Sequence, residues 1–239
     1  MDELPQSAER RLTRQEISAA VTRLGWRLIL GTLQTYVPVP TLADAANLAD
    51  IMARSTGPGG GSNLRADLRS DRVAFTLQSP DTGWVTSRET DLARQITAMV
   101  GTLGLTTTPD SSPPGPAART VQGVEIGIDA LDIPAIRPFW RAVLGYVDEP
   151  DQDGPPNALV DPVGQGPSIW FQQMEEPRPQ RNRIHFDVGV PDDEAEGRIA
   201  ATLAAGGRLT YDAEAPAFWV LADPEGNEAC ICTWQGRDA

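Results

Sequence analysis

The sequence predicts an α+β protein of two domains, the second of them a tandem repeat of a βαβββ module. Three observations carry this. The stretch Thr106–Arg119, TTTPDSSPPGPAAR, is rich in Pro, Ser and Thr, lacks hydrophobic periodicity and reads as a linker. The residues before it switch between helical and strand periods. The residues after it repeat one pattern at an offset of 60. The boundaries that follow are 1–105, 106–119 and 120–239.

The first domain reads as helix, strands, helix, strands, helix. Arg14 to Leu24 places Ile17, Ala20, Val21 and Leu24 on one helical face. Trp26 to Val37 alternates apolar and polar residues as a strand pair, broken at Gly31. Thr41 N-caps a helix whose Ala45, Leu48, Ala49 and Met52 point inward. Gly57–Asn63, GPGGGSN, is a loop. Arg72 to Gln78 alternates as a strand through Val73, Phe75 and Leu77. Thr86 and Glu89 form a capping box ahead of Leu92, Ile96, Met99 and Val100.

In the second domain, Val124–Asp132 and Ile184–Asp192 carry the same alternation. Each is followed by a helix ending in a glycine turn, FWRAVLGY at 139–146 and IAATLAAGG at 199–207. Each then reaches a D-P-x-G turn, Asp161–Gly164 and Asp223–Gly226, and a further strand. Two such modules would close a curved sheet around a cavity.

The net charge is −13, and it is lopsided. Residues 1–110 hold 11 Arg and 12 acids; residues 111–239 hold 9 Arg and 21 acids, a net of −12. Clustered positive charge is missing there, so no nucleic acid is expected as partner. No apolar run approaches the roughly 20 residues of a membrane span, and the acidic start lacks a secretory leader's basic region. Cys230 and Cys232 would face the same side of one strand, a poor geometry for a disulfide, and a cytoplasmic location is expected. There is no lysine and one histidine, His185. Schiff-base chemistry, a phosphate-loop lysine and any site needing two imidazoles of one chain are thereby excluded.

The segments LGWRLILGTL, ADAANLADIMA and ADLRSDRVAFTLQSPDTGWVTSRETDLARQI resemble the pterin-4a-carbinolamine dehydratase family over residues 12–104. The resemblance implies a small dehydratase-like α+β domain and a homodimer. It also implies three catalytic histidines, which would fall at Ser62, Asn63 and Pro80. None of these can move a proton as imidazole does, so the domain is expected to lack the family's activity. The segments DALDIPAIRPFWRAVLGY, SIWFQQMEEPRPQRNRIHFDVGV and FWVLADPEGNEACIC resemble the glyoxalase-like, bleomycin-resistance-like branch of the vicinal-oxygen-chelate superfamily, over about residues 120–235.

The candidate site follows from strand parity. Glu125, Gly127 and Asp129 share one face and Ile126, Ile128 and Ala130 the other. His185, Asp187 and Gly189 likewise oppose Phe186, Val188 and Val190. The apolar faces must pack on helices, which leaves the polar faces to line the cavity. The resemblance puts metal ligands at Glu125, His185, Trp170 or Gln172, and Cys230. With a cysteine where a carboxylate is implied, no metal is assigned and a divalent ion is left open. His185 and Glu125 are read as a proton-transfer pair of a lyase or isomerase. Asp129, Trp170, Gln172, Asp187, Trp219 and Cys230 are read as ligand-binding. The alternative is a non-catalytic protein that sequesters a small molecule. An active pterin dehydratase is a third reading, by family only.

Overall fold

The computed structural model describes residues 10–56, 61–110, 120–150, 158–177, 184–233 and 235–236. The chain divides into two compact units, with the boundary between Gly123 and Val124. Among the described residues no helix is long and apolar enough to cross a membrane.

The first unit runs α1 (Arg14–Val21), β1 (Arg27–Ile29), β2 (Thr32–Pro38), α2 (Leu42–Ser55), β3 (Leu64–Leu68), β4 (Arg72–Leu77) and α3 (Ser87–Thr102). A short 3-10 turn, Thr22–Leu24, continues α1. The four strands form one antiparallel sheet in the order β1-β2-β4-β3. Alternate residues of β2 and β4, among them Leu33, Val37, Val73, Phe75 and Leu77, are buried with Ile17, Leu48, Met52 and Ile96 of the helices. The capping box of α3 forms as its sequence requires, with Thr86 and Glu89 bonding reciprocally.

Part of the stretch read as linker belongs to this unit. The Thr107 hydroxyl donates to the Leu24 carbonyl at 2.7 Å, and Tyr36 and Thr108 exchange backbone hydrogen bonds of 2.8 and 2.9 Å. The Val121 N–H then bonds Pro109 O, also at 2.8 Å. Residues 111–119 of the expected linker, and Gly57–Gly60 of the expected loop, lie outside the described residues.

The second unit contains β5 (Glu125–Ala130), α4 (Ile133–Leu144), β6 (Val147–Asp148), β7 (Ala158–Val160) and β8 (Ser168–Gln173). The pattern repeats as β9 (Phe186–Gly189), α5 (Ala195–Ala204), β10 (Arg208–Tyr211), β11 (Phe218–Ala222) and β12 (Glu228–Cys232). The sheets are ordered β5-β8-β7-β6 and β10-β11-β12-β9, so in each module the first strand lies parallel to the last at the sheet edge. The repeat holds in register. Trp170 lies opposite Gly127 and Cys230 opposite Asp187, pairs displaced by the same 60 positions. The single curved sheet expected from sequence is instead two four-stranded sheets among the described residues.

One apolar core serves both modules. Ile128, Ile136, Phe139, Trp140 and Ile169 of the first are buried with Leu221, Ala229 and Ile231 of the second. Polar bonds cross between them as well. Both carboxylate oxygens of Glu225 accept from Leu131 N, at 2.9 and 3.0 Å, and one accepts from Asp132 N at 2.7 Å. These backbone donors open α4, and a carboxylate there meets the positive end of the helix. Glu225→Ala is expected to lower the stability of this unit by about 1 kcal/mol, with increased hydrogen exchange at residues 131–136 as the measurement.

Candidate functional site

Parity places the candidates as the apolar faces demand. Ile126, Phe186 and Val188 pack on the core, while Glu125, Gly127, Asp187 and Gly189 are exposed on the opposite face. On this polar face the structure brings three of them together. His185 and Asp187 stand two residues apart on one side of the strand, and Asp187 lies directly opposite Cys230 on β12. The His185 Nε2–Asp187 Oδ1 distance is 3.4 Å. One imidazole nitrogen, one carboxylate oxygen and the Cys230 sulfur all lie within 4.8 Å of one another.

The three differ in exposure. The side chains of His185 and Asp187 are 55% and 65% exposed, whereas Cys230 is 6% exposed. Burial pushes the Cys230 thiol up to about 12, helped by its hydrogen bond to Asp187 and the charge of that carboxylate. With only protein around it, Cys230 is a thiol at neutral pH and no nucleophile.

The equivalent positions of the first module carry a different chemistry. The Trp170 indole crosses the backbone of Gly127, where any Cβ would meet the ring at 3.1 Å. Its aromatic surface is 40% exposed, between Glu125 and Asp129 in register. Glu125 accepts from the Ser168 hydroxyl at 3.1 Å, and Gln172 is exposed opposite Asp129. Glu125 and His185 therefore take different partners on different sheets.

Trp219 is not on the polar face. It stands opposite Ile231 on β11 and packs against the core, because its parity follows Leu221 rather than Val220. A hollow of about 500 Å³ in this unit is lined by Arg137, Arg141, Tyr146 and Asp148 on the helix side, and contains none of the candidates.

In the first unit, Asn63 is buried and its amide donates to the Glu89 carboxylate. The other oxygen of Glu89 accepts from the Thr86 N–H and hydroxyl, both at 2.7 Å. Asn63 thus completes the capping of α3. Ser62 and Pro80 are exposed.

The donor set of the second unit fits a metal ion. Around a tetrahedral centre with bonds of about 2.0–2.3 Å, ligand atoms stand about 3.3–3.8 Å apart. The His185–Asp187 distance of 3.4 Å falls in this range, and all three ligand atoms lie within 4.8 Å of one another. Sequence reasoning put His185 and Cys230 in one implied ligand set and Asp187 on the face of His185, but did not bring Asp187 to Cys230. The missing step was the register of β9 against β12, which strand parity alone does not set.

Residues 125–232 match the family model described as a glyoxalase-like domain. Among solved structures, the chain is similar to a glyoxalase-related enzyme from Fulvimarina pelagi, at 18% identity and a TM-score of 0.37, over 47% of this chain and 88% of that one. A glyoxalase/bleomycin resistance protein/dioxygenase family enzyme from Burkholderia phytofirmans PsJN gives 22% identity and a TM-score of 0.35, over 46% and 95%. The fosfomycin resistance protein FosX from Mesorhizobium loti gives 11% and 0.37, over 47% and 92%. No curated protein matches the chain. None of these comparisons supports the dehydratase resemblance of residues 12–104. Residues 125–232 are thus similar to a glyoxalase-like domain.

Proposed function

We propose that the glyoxalase-like domain works on a small molecule at its polar sheet face, with His185 and Asp187 as the reactive pair beside the buried Cys230 and Trp170 as a platform. The observation that carries this reading is the convergence of the three donor atoms within 4.8 Å on an exposed face. Proton transfer of the lyase or isomerase type then falls to His185 with Asp187 beside it, rather than to His185 with Glu125. A divalent ion held by the cluster would supply Lewis acidity toward a bound oxygen. Asp187 fixes the imidazole, and Trp170 offers a flat apolar surface to a planar ligand.

A second reading, sequestration without turnover, is favoured by the surroundings of Trp170. Glu125 and Asp129 flank the indole, and the half-chain charge of −12 suits a cationic ligand. The first unit takes no part in either reading, since the Asn63 amide is committed to Glu89.

The test is native mass spectrometry of untagged protein from its own host, looking for a retained small molecule. Trp170→Ala is expected to weaken retention about 10-fold, equal to about 1.4 kcal/mol. Its melting temperature should stay nearly unchanged, because the ring is half open to solvent. Retention that survives both Trp170→Ala and His185→Gln would refute the assignment of this face. Chemical change of the ligand on incubation would favour the enzyme over the sequestering protein.

A further inference from the structure

We propose that the hollow on the helix side of the second unit binds a small organic carboxylate, an anion with an apolar body, through Arg141. This site stands apart from the polar sheet face and does not rest on the reading given for that face.

Three features support it. First, helical spacing gathers positive charge in a half-chain that is otherwise acidic. Arg137 and Arg141 are one helical turn apart on α4, so both line the same hollow of about 500 Å³. The row ends at Gly145, where a Cβ would come within 2.7 Å of the Arg198 guanidinium of α5. A third cation therefore stands at that end of the hollow, while residues 111–239 carry a net charge of −12.

Second, the guanidiniums are unequally committed. Arg137 is only 17% exposed and lies over the Phe171 ring at 5.5 Å. Its Nε and Nη2 donate to Asp148 Oδ1 at 3.3 and 2.8 Å, and Nη2 also donates to Ala158 O at 2.9 Å. Arg137 is thus fixed, and it offsets the one carboxylate that lines the hollow. Arg141 is 55% exposed and reaches Asp148 through a single long contact from Nη1, at 3.3 Å. Its Nε and Nη2 donors make no hydrogen bond among the described residues. A planar fork of that kind matches a carboxylate with two parallel bonds. Asp161, whose charge reaches Tyr146, is already taken up by the N–H groups of its own turn.

Third, the remaining walls are apolar. Pro138, Ala142 and Tyr146 line the hollow, and a bare inorganic oxyanion would leave these surfaces wet. The carbonyls that end α4 would repel an anion, but they are covered. Arg141 O and Ala142 O accept from Tyr146 N and Gly145 N, and Val143 O accepts from Arg198 Nη1 at 3.2 Å.

The experiment is titration of the 15N-labelled full-length protein with benzoate, followed at the backbone amides and the arginine Nε–H groups. Saturable shifts are expected at residues 137–148 and at the Arg141 Nε–H, with a Kd on the order of 1 mM. Benzamidine, which has the same ring and the opposite charge, should produce none of them. Inorganic phosphate should bind at least about 10-fold more weakly than benzoate, because it leaves the apolar walls unfilled. Arg141→Gln, at an exposed position, should weaken benzoate binding at least about 10-fold with an unchanged melting temperature. Trp170→Ala should leave it as it was. Absence of saturable shifts at 137–148, an equal response to benzamidine or phosphate, unchanged affinity in Arg141→Gln, or loss of binding in Trp170→Ala would each overturn the assignment.

Discussion

Asp223→Ala is expected to destabilise the glyoxalase-like unit by about 3 kcal/mol, whereas Asp161→Ala, its counterpart in the first module, should cost less than about 1 kcal/mol. Both aspartates open a D-P-x-G turn, and both accept from backbone N–H groups of that turn. Asp161 accepts from Val163, Gln165 and Gly166 at 2.7–2.9 Å. Burial opposes its ionisation, but these backbone donors outweigh it and hold its carboxyl below the usual range. All of these bonds lie in an exposed loop where water can replace the lost acceptor.

Asp223 is fully buried and does more. It accepts from Glu225 N at 2.9 Å, and from Asn227 N and Nδ2 at 2.8 Å. It also accepts from the Trp140 Nε1–H of the other module at 3.0 Å. Trp140 is itself buried, edge-on to Phe139 and Phe186 at 5.3 Å. Removing Asp223 strands the indole N–H where no water reaches, so the desolvation of that donor is uncompensated. Hydrogen exchange of peptides from 124–233, read against urea, measures both variants. Equal losses from the two aspartates would show that the bond between modules contributes little.

The strongly periodic elements were legible because their burial is one-sided. β2, β4, α2 and α3 each bury one face, and the 60-residue repeat fixed the order of helices and strands without any measurement of contacts. β3 was not, because Leu64–Leu68 is an edge strand mostly exposed on both faces and its residues have no reason to alternate. The helix read at 139–146 begins earlier, at Ile133, with Asp132 as its cap and with Pro134 in its first turn and Pro138 inside it, residues whose type does not announce a helix. Trp219 was misplaced because an aromatic residue suits a core and a cavity wall equally; only the pairing with Ile231 decides. The cluster of His185, Asp187 and Cys230 needed the alignment of two strands more than 40 residues apart, and no local pattern encodes that. Thr107 and Thr108 were assigned to the linker by composition, which reports the cost of ordering a segment but not the partners that can offset it.

Gly25→Ala tests that docked segment directly and is expected to cost the first unit about 3–4 kcal/mol. Gly25 ends the 3-10 turn with φ of +79°, and its own carbonyl accepts from the Thr35 hydroxyl at 2.9 Å. A Cβ built there would lie 2.3 Å from Thr107 O and 2.7 Å from Thr107 C. These are backbone atoms and cannot swing aside as a side-chain end would. The substitution must either push out residues 107–108, breaking their bonds to Leu24 and Tyr36, or unwind the turn. Gly104→Ala separates the two contributions. Its φ is +73°, but nothing lies within 4 Å of a Cβ there, so it should lose only the left-handed penalty of about 1–2 kcal/mol. Urea unfolding followed by tryptophan fluorescence, with Trp26 buried beside Gly25, reads both variants. If Gly25→Ala is no worse than Gly104→Ala, residues 107–108 do not pack on this turn and the first unit ends earlier, as composition alone implied.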